Sequence, residues 1–306
     1  MPLTHFRAPP PVESGAHVAL IAPAGPLQNP DDLPRAQENA RTLGWEPVVG
    51  LHATERKGYL AGNDRHRLTD INLALRDPKI QLVWCLRGGY GMMRILPGID
   101  YDALSRTPKV IIGYSDITAL HAAVQKKCKL ITFHGPTARE KLTDFSRDSL
   151  ERAIFRREDS CGAAPSARDL NAGSAEGRLV GGNLSMLSSL CGTPYMPDLV
   201  DGILILEDVN EPVYRIDRML QQLSLSGALA GCKAIVFGDC TKCLEDAGEG
   251  GRSFDDVLGE VAHALGIPCL AGIPIGHIAE QWTIPLGAMA RLDTATRSLT
   301  VTSYTT

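Results

Sequence analysis

The sequence predicts an α/β fold: an N-terminal parallel-sheet α/β domain followed by a C-terminal α+β domain. Three observations predict it. In the first half, short apolar and β-branched runs alternate with stretches of helical periodicity, the pattern of a parallel sheet covered by helices. Residues 158–177 change character, being rich in Ser, Ala, Gly and Asp with Leu170 as the single large aliphatic side chain. Beyond them strands and helices mix without that alternation, and 306 residues exceed what one core of ordinary size holds comfortably. The expected division is residues 1–157, a linker at 158–177, and residues 178–306.

The elements follow in order. Residues 17–21 form the first apolar run, succeeded by a helical pattern over 31–43, a strand at 46–49, a second helix at 64–76 and a strand at 80–86. The next strand, 109–112, ends in a turn at Gly113 to Ser115, from which a helix over 116–125 leads to a strand at 130–133. In the second half, apolar runs at 203–206, 234–237 and 290–292 read as strands, and 215–225 and 254–265 as helices. No internal repeat or low-complexity tract is present, which excludes solenoid and collagen-like architectures.

Composition narrows the function. Lys and Arg number 31 against 35 Asp and Glu, so no global basic field exists to gather nucleic acid or anionic lipid, and the expected partner is a small molecule. Apolar runs are broken by Pro or Gly long before the ~20 residues of a membrane span, and the proline-rich residues 1–15 lack the pattern of an export signal. A soluble, cytoplasmic protein is the expectation. Of the eight cysteines, Cys240 and Cys243 alone have redox or metal spacing, without a second pair or His ligands close in sequence, so buried free thiols and no metal are expected.

The sharpest local feature is Val110-Ile111-Ile112-Gly113-Tyr114-Ser115-Asp116, an apolar strand that closes in Gly and restarts as a helix just after a serine. A hydroxyl held there stands at the carboxyl edge of the sheet, before helix amides able to stabilise an oxyanion. The alternative is that Ser115 or Asp116 only caps the helix. Upstream, Arg87-Gly88-Gly89-Tyr90-Gly91 closes the preceding strand at the same edge, where a glycine amide can be the second oxyanion donor. No Lys-Ser/Thr follows these glycines and dinucleotide spacing is absent, which argues against a nucleotide loop.

A serine nucleophile needs a base and an acid to orient it. Of eight histidines, His5 and His17 sit near the N-terminus, His52 and His66 in polar loop or helix contexts, and His121 and His263 within helices. His134 and His277, each following an apolar run, both stay candidates. For the acid, residues 203–206 deliver Glu207, Asp208 and Glu211 to one strand end, and the need for a partly buried, oriented carboxylate favours Glu207. A solvated turn is the alternative.

Together with Ile21-Ala22-Pro23-Ala24-Gly25, Ala61-Gly62-Asn63-Asp64, Gly181-Gly182-Asn183-Leu184, Tyr214-Arg215-Ile216-Asp217-Arg218 and Gly276-His277, these segments resemble the LD-carboxypeptidase family over nearly the whole chain. The resemblance implies a Ser-Glu-His triad of Ser115, Glu207 and His277, and so His277 rather than His134. It implies oxyanion donation by the amides of Asp116 and Gly89, with Arg87 and Asn183 as substrate contacts and no cofactor. It implies release of the terminal D-alanine of cytoplasmic murein tetrapeptide in peptidoglycan recycling, by a homodimer. Two alternatives remain. One is a peptidase like the microcin C immunity enzymes of the same family, which cleave a peptidyl-nucleotide; their interdomain loop carries aromatic residues, whereas 158–177 here contains no Trp, Tyr or Phe. The other is a non-catalytic peptide or glycan binder with Ser115 as a helix cap.

Overall fold

A computed structural model describes residues 5–243 and 251–305. The chain builds two sheets. The first, in the order β12-β5-β4-β3-β1-β2, takes β1 (His17–Ile21), β2 (Glu46–Val49), β3 (Ile80–Cys85), β4 (Val110–Gly113) and β5 (Thr132–His134) as parallel strands. Its far edge is closed by β12 (Ile284–Leu286), which pairs antiparallel with β5, so the C-terminal half returns a strand to the N-terminal sheet. The inner strands β3 and β4 are apolar almost without interruption because helices cover both faces. The helices are α1 (Asp32–Thr42), α2 (Asp64–Arg76), α3 (Met92–Ile95), α4 (Tyr101–Arg106), α5 (Thr118–Cys128) and α6 (Asp144–Glu151). Two clusters of buried side chains line this sheet, one around Trp84 and Phe133 and one around Val83 and Ile111.

The second sheet has the order β6-β14-β13-β8-β9-β10-β11-β7. Its centre is parallel: β8 (Ser174–Asn183), β9 (Gly202–Val209), β10 (Ala234–Thr241) and β11 (Cys269–Ala271). Antiparallel strands flank it: β6 (Gly162–Ala163), β7 (Arg168–Asn171), β13 (Met289–Asp293) and β14 (Ser298–Ser303). Three helices, α7 (Leu184–Leu190), α8 (Val213–Leu225) and α9 (Phe254–Leu265), complete this half, with a third apolar cluster around Leu204, Leu220 and Phe237. Helix α9 starts on a reciprocal Ser253–Asp256 capping box and stops at Gly266, whose φ of 65° needs no Cβ penalty.

Residues 158–177 differ from the expected linker: they carry β6, β7 and the first residues of β8. These strands are held by backbone pairing at sheet edges and by polar side chains, so they lack the apolar signature that composition can reveal. No helix among the described residues is long and apolar enough to cross a membrane.

Candidate active site

The serine sits where strand β4 meets its helix. After Gly113 the backbone is extended at Tyr114 and then turns left-handed at Ser115, with φ +62°. For a residue bearing a Cβ this costs about 1–2 kcal/mol, a strain typical of a nucleophile elbow. A 3-10 turn over Ser115–Ile117 then feeds α5, and neither is capped by a side chain. The cap alternative for Ser115 and Asp116 is thus not realised: the Asp116 carboxylate instead accepts from the Met92 amide at 2.8 Å.

The glycine turn after β3 packs directly on this elbow. A Cβ on Gly88 would stand 2.8 Å from the Ser115 Cβ, and one on Gly89, at φ +108°, would stand 3.1 Å from the Gly25 Cα. Glycine is what lets the two turns meet. The Gly25 amide donates to the Gly88 carbonyl at 2.9 Å and pins the turn, while the amides of Gly89 and Asp116 donate to no backbone acceptor among the described residues. Both stay available at the edge where Ser115 opens.

Glu207 ends the apolar run of β9, opposite Asn183 of β8, with its side chain fully buried. Its Oε2 lies 2.8 Å from Nδ1 of His277, and Oε1 has no partner among the described residues. The loop carrying His277 reaches Glu207 because Gly276, at φ +110°, has no Cβ: one there would stand 3.0 Å from the Glu207 Cβ. Thr241 Oγ1 donates to the His277 carbonyl at 3.1 Å, and the ring packs edge-to-face on Tyr114 at 4.8 Å. Burial pulls the His277 pKa down, but the hydrogen bond and charge of Glu207, with Asp208 and Glu140 farther off, outweigh it and leave the imidazole above its ordinary value.

His134 is placed differently. It is fully buried with neither ring nitrogen bonded among the described residues, and burial holds its pKa down to about 3, so it packs behind Tyr114 as a neutral ring. Asp208, the neighbour of Glu207, turns the other way and accepts from the Ser185 amide and hydroxyl at 2.9 and 2.7 Å, tying down the start of α7.

Ser115, His277, Arg87, Gly88 and Gly89 line one cleft of about 310 Å³. No direct hydrogen bond joins Ser115 to His277 here; in unliganded sites this bond is often long and closes with substrate. Arg87 is fixed by a 2.8 Å bond from Nη1 to the Pro26 carbonyl. Asn183, expected as a substrate contact, is 5% exposed; its Oδ1 accepts from the Met186 amide and its Nδ2 donates to Asp208. A residue that ends a strand and begins a helix caps that helix first.

Sequence reasoning missed Arg139 and Glu140, which line the same cleft. The Glu140 carboxylate accepts from Thr137 Oγ1 at 2.7 Å and from Gln281 Nε2 at 3.2 Å, and burial pushes its pKa up. Their position just past the carboxyl end of β5 was the available signal, since ligands in open α/β sheets gather at that edge.

Comparison with known proteins agrees with this architecture. Residues 18–135 match the LD-carboxypeptidase N-terminal domain and residues 176–292 the LD-carboxypeptidase C-terminal domain. The chain is 36% identical to a probable murein peptide carboxypeptidase of Bacillus subtilis, over 95% of this chain and 92% of that one. Among solved structures, a muramoyltetrapeptide carboxypeptidase from Oxalobacter formigenes superposes with a TM-score of 0.83 at 32% identity, covering 94% of this chain and 98% of that one. MccF in complex with glutamyl sulfamoyl guanosine superposes with a TM-score of 0.88 at 26% identity, covering 97% and 98%. With both halves matched and in the same order, the chain belongs to the LD-carboxypeptidase family and is a serine carboxypeptidase.

Proposed function

We propose that the protein releases the terminal D-alanine of cytoplasmic murein tetrapeptide during peptidoglycan recycling, with Ser115 as nucleophile, His277 as base and Glu207 as the orienting acid. The observation that carries this reading is the 2.8 Å contact between buried Glu207 and His277, on a cleft that His277 shares with Ser115. In this mechanism the His277 Nδ1–H donates to the Glu207 carboxylate, which leaves Nε2 as the acceptor. His277 takes the Ser115 proton as the oxygen attacks the scissile carbonyl, and hands it to the leaving amine of D-alanine. Water then repeats the cycle on the acyl-enzyme. The amides of Gly89 and Asp116 receive the oxyanion, an interaction whose loss costs about 3–4 kcal/mol of barrier in other acyl-transfer sites.

A carboxypeptidase must recognise a free terminal carboxylate, and Arg87 and Arg139 bring two guanidinium groups to the cleft for that purpose. The homodimer and the cytoplasmic location belong to the same reading.

The likeness to MccF supports a second reading, cleavage of a peptidyl-nucleotide. The two are separated by kcat/KM on murein tetrapeptide and on a peptidyl-sulfamoyl nucleoside. A preference of tenfold or more for the murein peptide supports the first; the reverse preference replaces it with the second.

A further inference from the structure

Away from the cleft, three side chains with no role in the reaction converge at the foot of α2: His52, Glu55 and His66. We propose that they form a binding site for a late first-row divalent cation, with Zn2+ as the occupant. The two oxygens of Glu55 face one imidazole each, at 2.7 Å from His52 Nδ1 and 2.6 Å from His66 Nδ1. The rings stack at 4.0 Å with 12° between their planes, and one ligand atom from each residue lies within 4.8 Å of the others.

The backbone presets each of the three. The His52 amide donates to Asp70 Oδ2 at 2.9 Å, the Glu55 amide to the His52 carbonyl at 3.0 Å, and the His66 amide to Asn63 Oδ1 at 2.9 Å as part of the α2 cap. Gly62, at φ +85°, leaves the space that the Glu55 carboxylate occupies: a Cβ there would stand 2.5 Å from Oε2. The order of the donors is therefore fixed by the fold rather than by chance contact of long side chains.

The chemistry of the donors selects the ion. Two imidazole nitrogens with one carboxylate suit zinc and its neighbours and are poor ligands for Mg2+ or Ca2+. At bond lengths of about 2.0–2.1 Å, tetrahedral ligand atoms stand ~3.3 Å apart, so the two imidazole–carboxylate spacings of 2.7 and 2.6 Å need open by less than ~1 Å, and all three ligand atoms already lie within 4.8 Å of one another. The three side chains are 25–37% exposed, which leaves a face for water as the remaining ligand. None of the three lines the cleft of Ser115, so hydrolysis is not routed through the ion.

The test uses untagged, chelator-stripped full chain titrated with Co2+ and Zn2+. The expected result is one ion per chain, a Co2+ spectrum without thiolate charge transfer, and a rise in Tm with Zn2+. Cys240→Ser/Cys243→Ser, which removes the competing thiol pair, should leave binding unchanged. His52→Gln/His66→Gln should weaken it at least tenfold, and Glu55→Gln, which keeps the hydrogen-bonding shape, should do so with the fold intact by circular dichroism. Absence of saturable binding would reduce the cluster to two imidazoles hydrogen-bonded to a carboxylate and overturn the proposal. Binding that survives His52→Gln/His66→Gln, whether held by the cysteines or elsewhere, overturns it equally.

Discussion

Glu207 and Asp208 are consecutive on β9 and point to opposite sides of it: Glu207 meets the His277 imidazole at 2.8 Å, while Asp208 holds the Ser185 hydroxyl at 2.7 Å. The alternation of side chains along a strand makes this separation unavoidable. Two buried carboxylates in one sequence thus serve different ends, one holding the His277 imidazole and the other the start of α7.

Glu207→Gln should keep the shape of the site and lose the charge that orients and stabilises the imidazolium, lowering kcat by ~10³ to 10⁴ with little change in Tm. Asp208→Asn should do the converse. It weakens the hold on the start of α7 at a stability cost of about 1–3 kcal/mol, while kcat stays within a few fold. Kinetics and thermal melts of the two variants together check this, and the reversed pattern would move the acid to Asp208.

Ser115→Ala should abolish turnover and leave the fold intact, because the Ser115 side chain caps neither the 3-10 turn nor α5. Ser115→Gly is equally inactive, yet it relieves the left-handed φ of +62° and should melt no lower than wild type. A Ser115→Ala protein turning over at near wild-type rate would remove the nucleophile from the mechanism.

The pH profile follows from His277. Its pKa in the folded protein stands above the ordinary 6.5, because the bond and charge of Glu207 outweigh burial. The protonated ring is therefore the stabilised form: its contribution to stability is present below 6.5 and is lost as pH rises through the folded value. With His277 as the proposed base, hydrolysis would need the neutral ring, so the acid limb of kcat/KM should lie above pH 6.5 and should move to lower pH in Glu207→Gln. A limb that ignores Glu207→Gln would dissociate the pair from catalysis.

The legible parts of this protein are those where side chains carry the pattern. The apolar run closing at Gly113 marked the elbow, and the run from Ile203 to Leu206 marked Glu207, because buried parallel strands must be continuously apolar and must shed polar residues at their ends. His134 and His277 were indistinguishable by the same rule, since each follows an apolar run. What separates them is depth, with His134 at 0% exposure, and depth is a property of the assembled sheets. Strands β6 and β7 were hidden because backbone pairing, not apolar side chains, defines them. The convergence of His52, Glu55 and His66 was hidden for a related reason: the turn at Gly62 brings a loop residue and a helix residue together across a gap that no local period describes.

Hydrolysis of one specific bond by Ser115 is read from the masses of the products. Purified protein is incubated with murein tetrapeptide and, separately, with the tripeptide that lacks the terminal residue. The expected products are tripeptide plus free alanine from the tetrapeptide, with the tripeptide left intact, and Ser115→Ala should leave both peptides uncleaved. An intact tetrapeptide after incubation with folded wild-type protein, cleavage of the tripeptide, or conversion by Ser115→Ala would overturn the assignment.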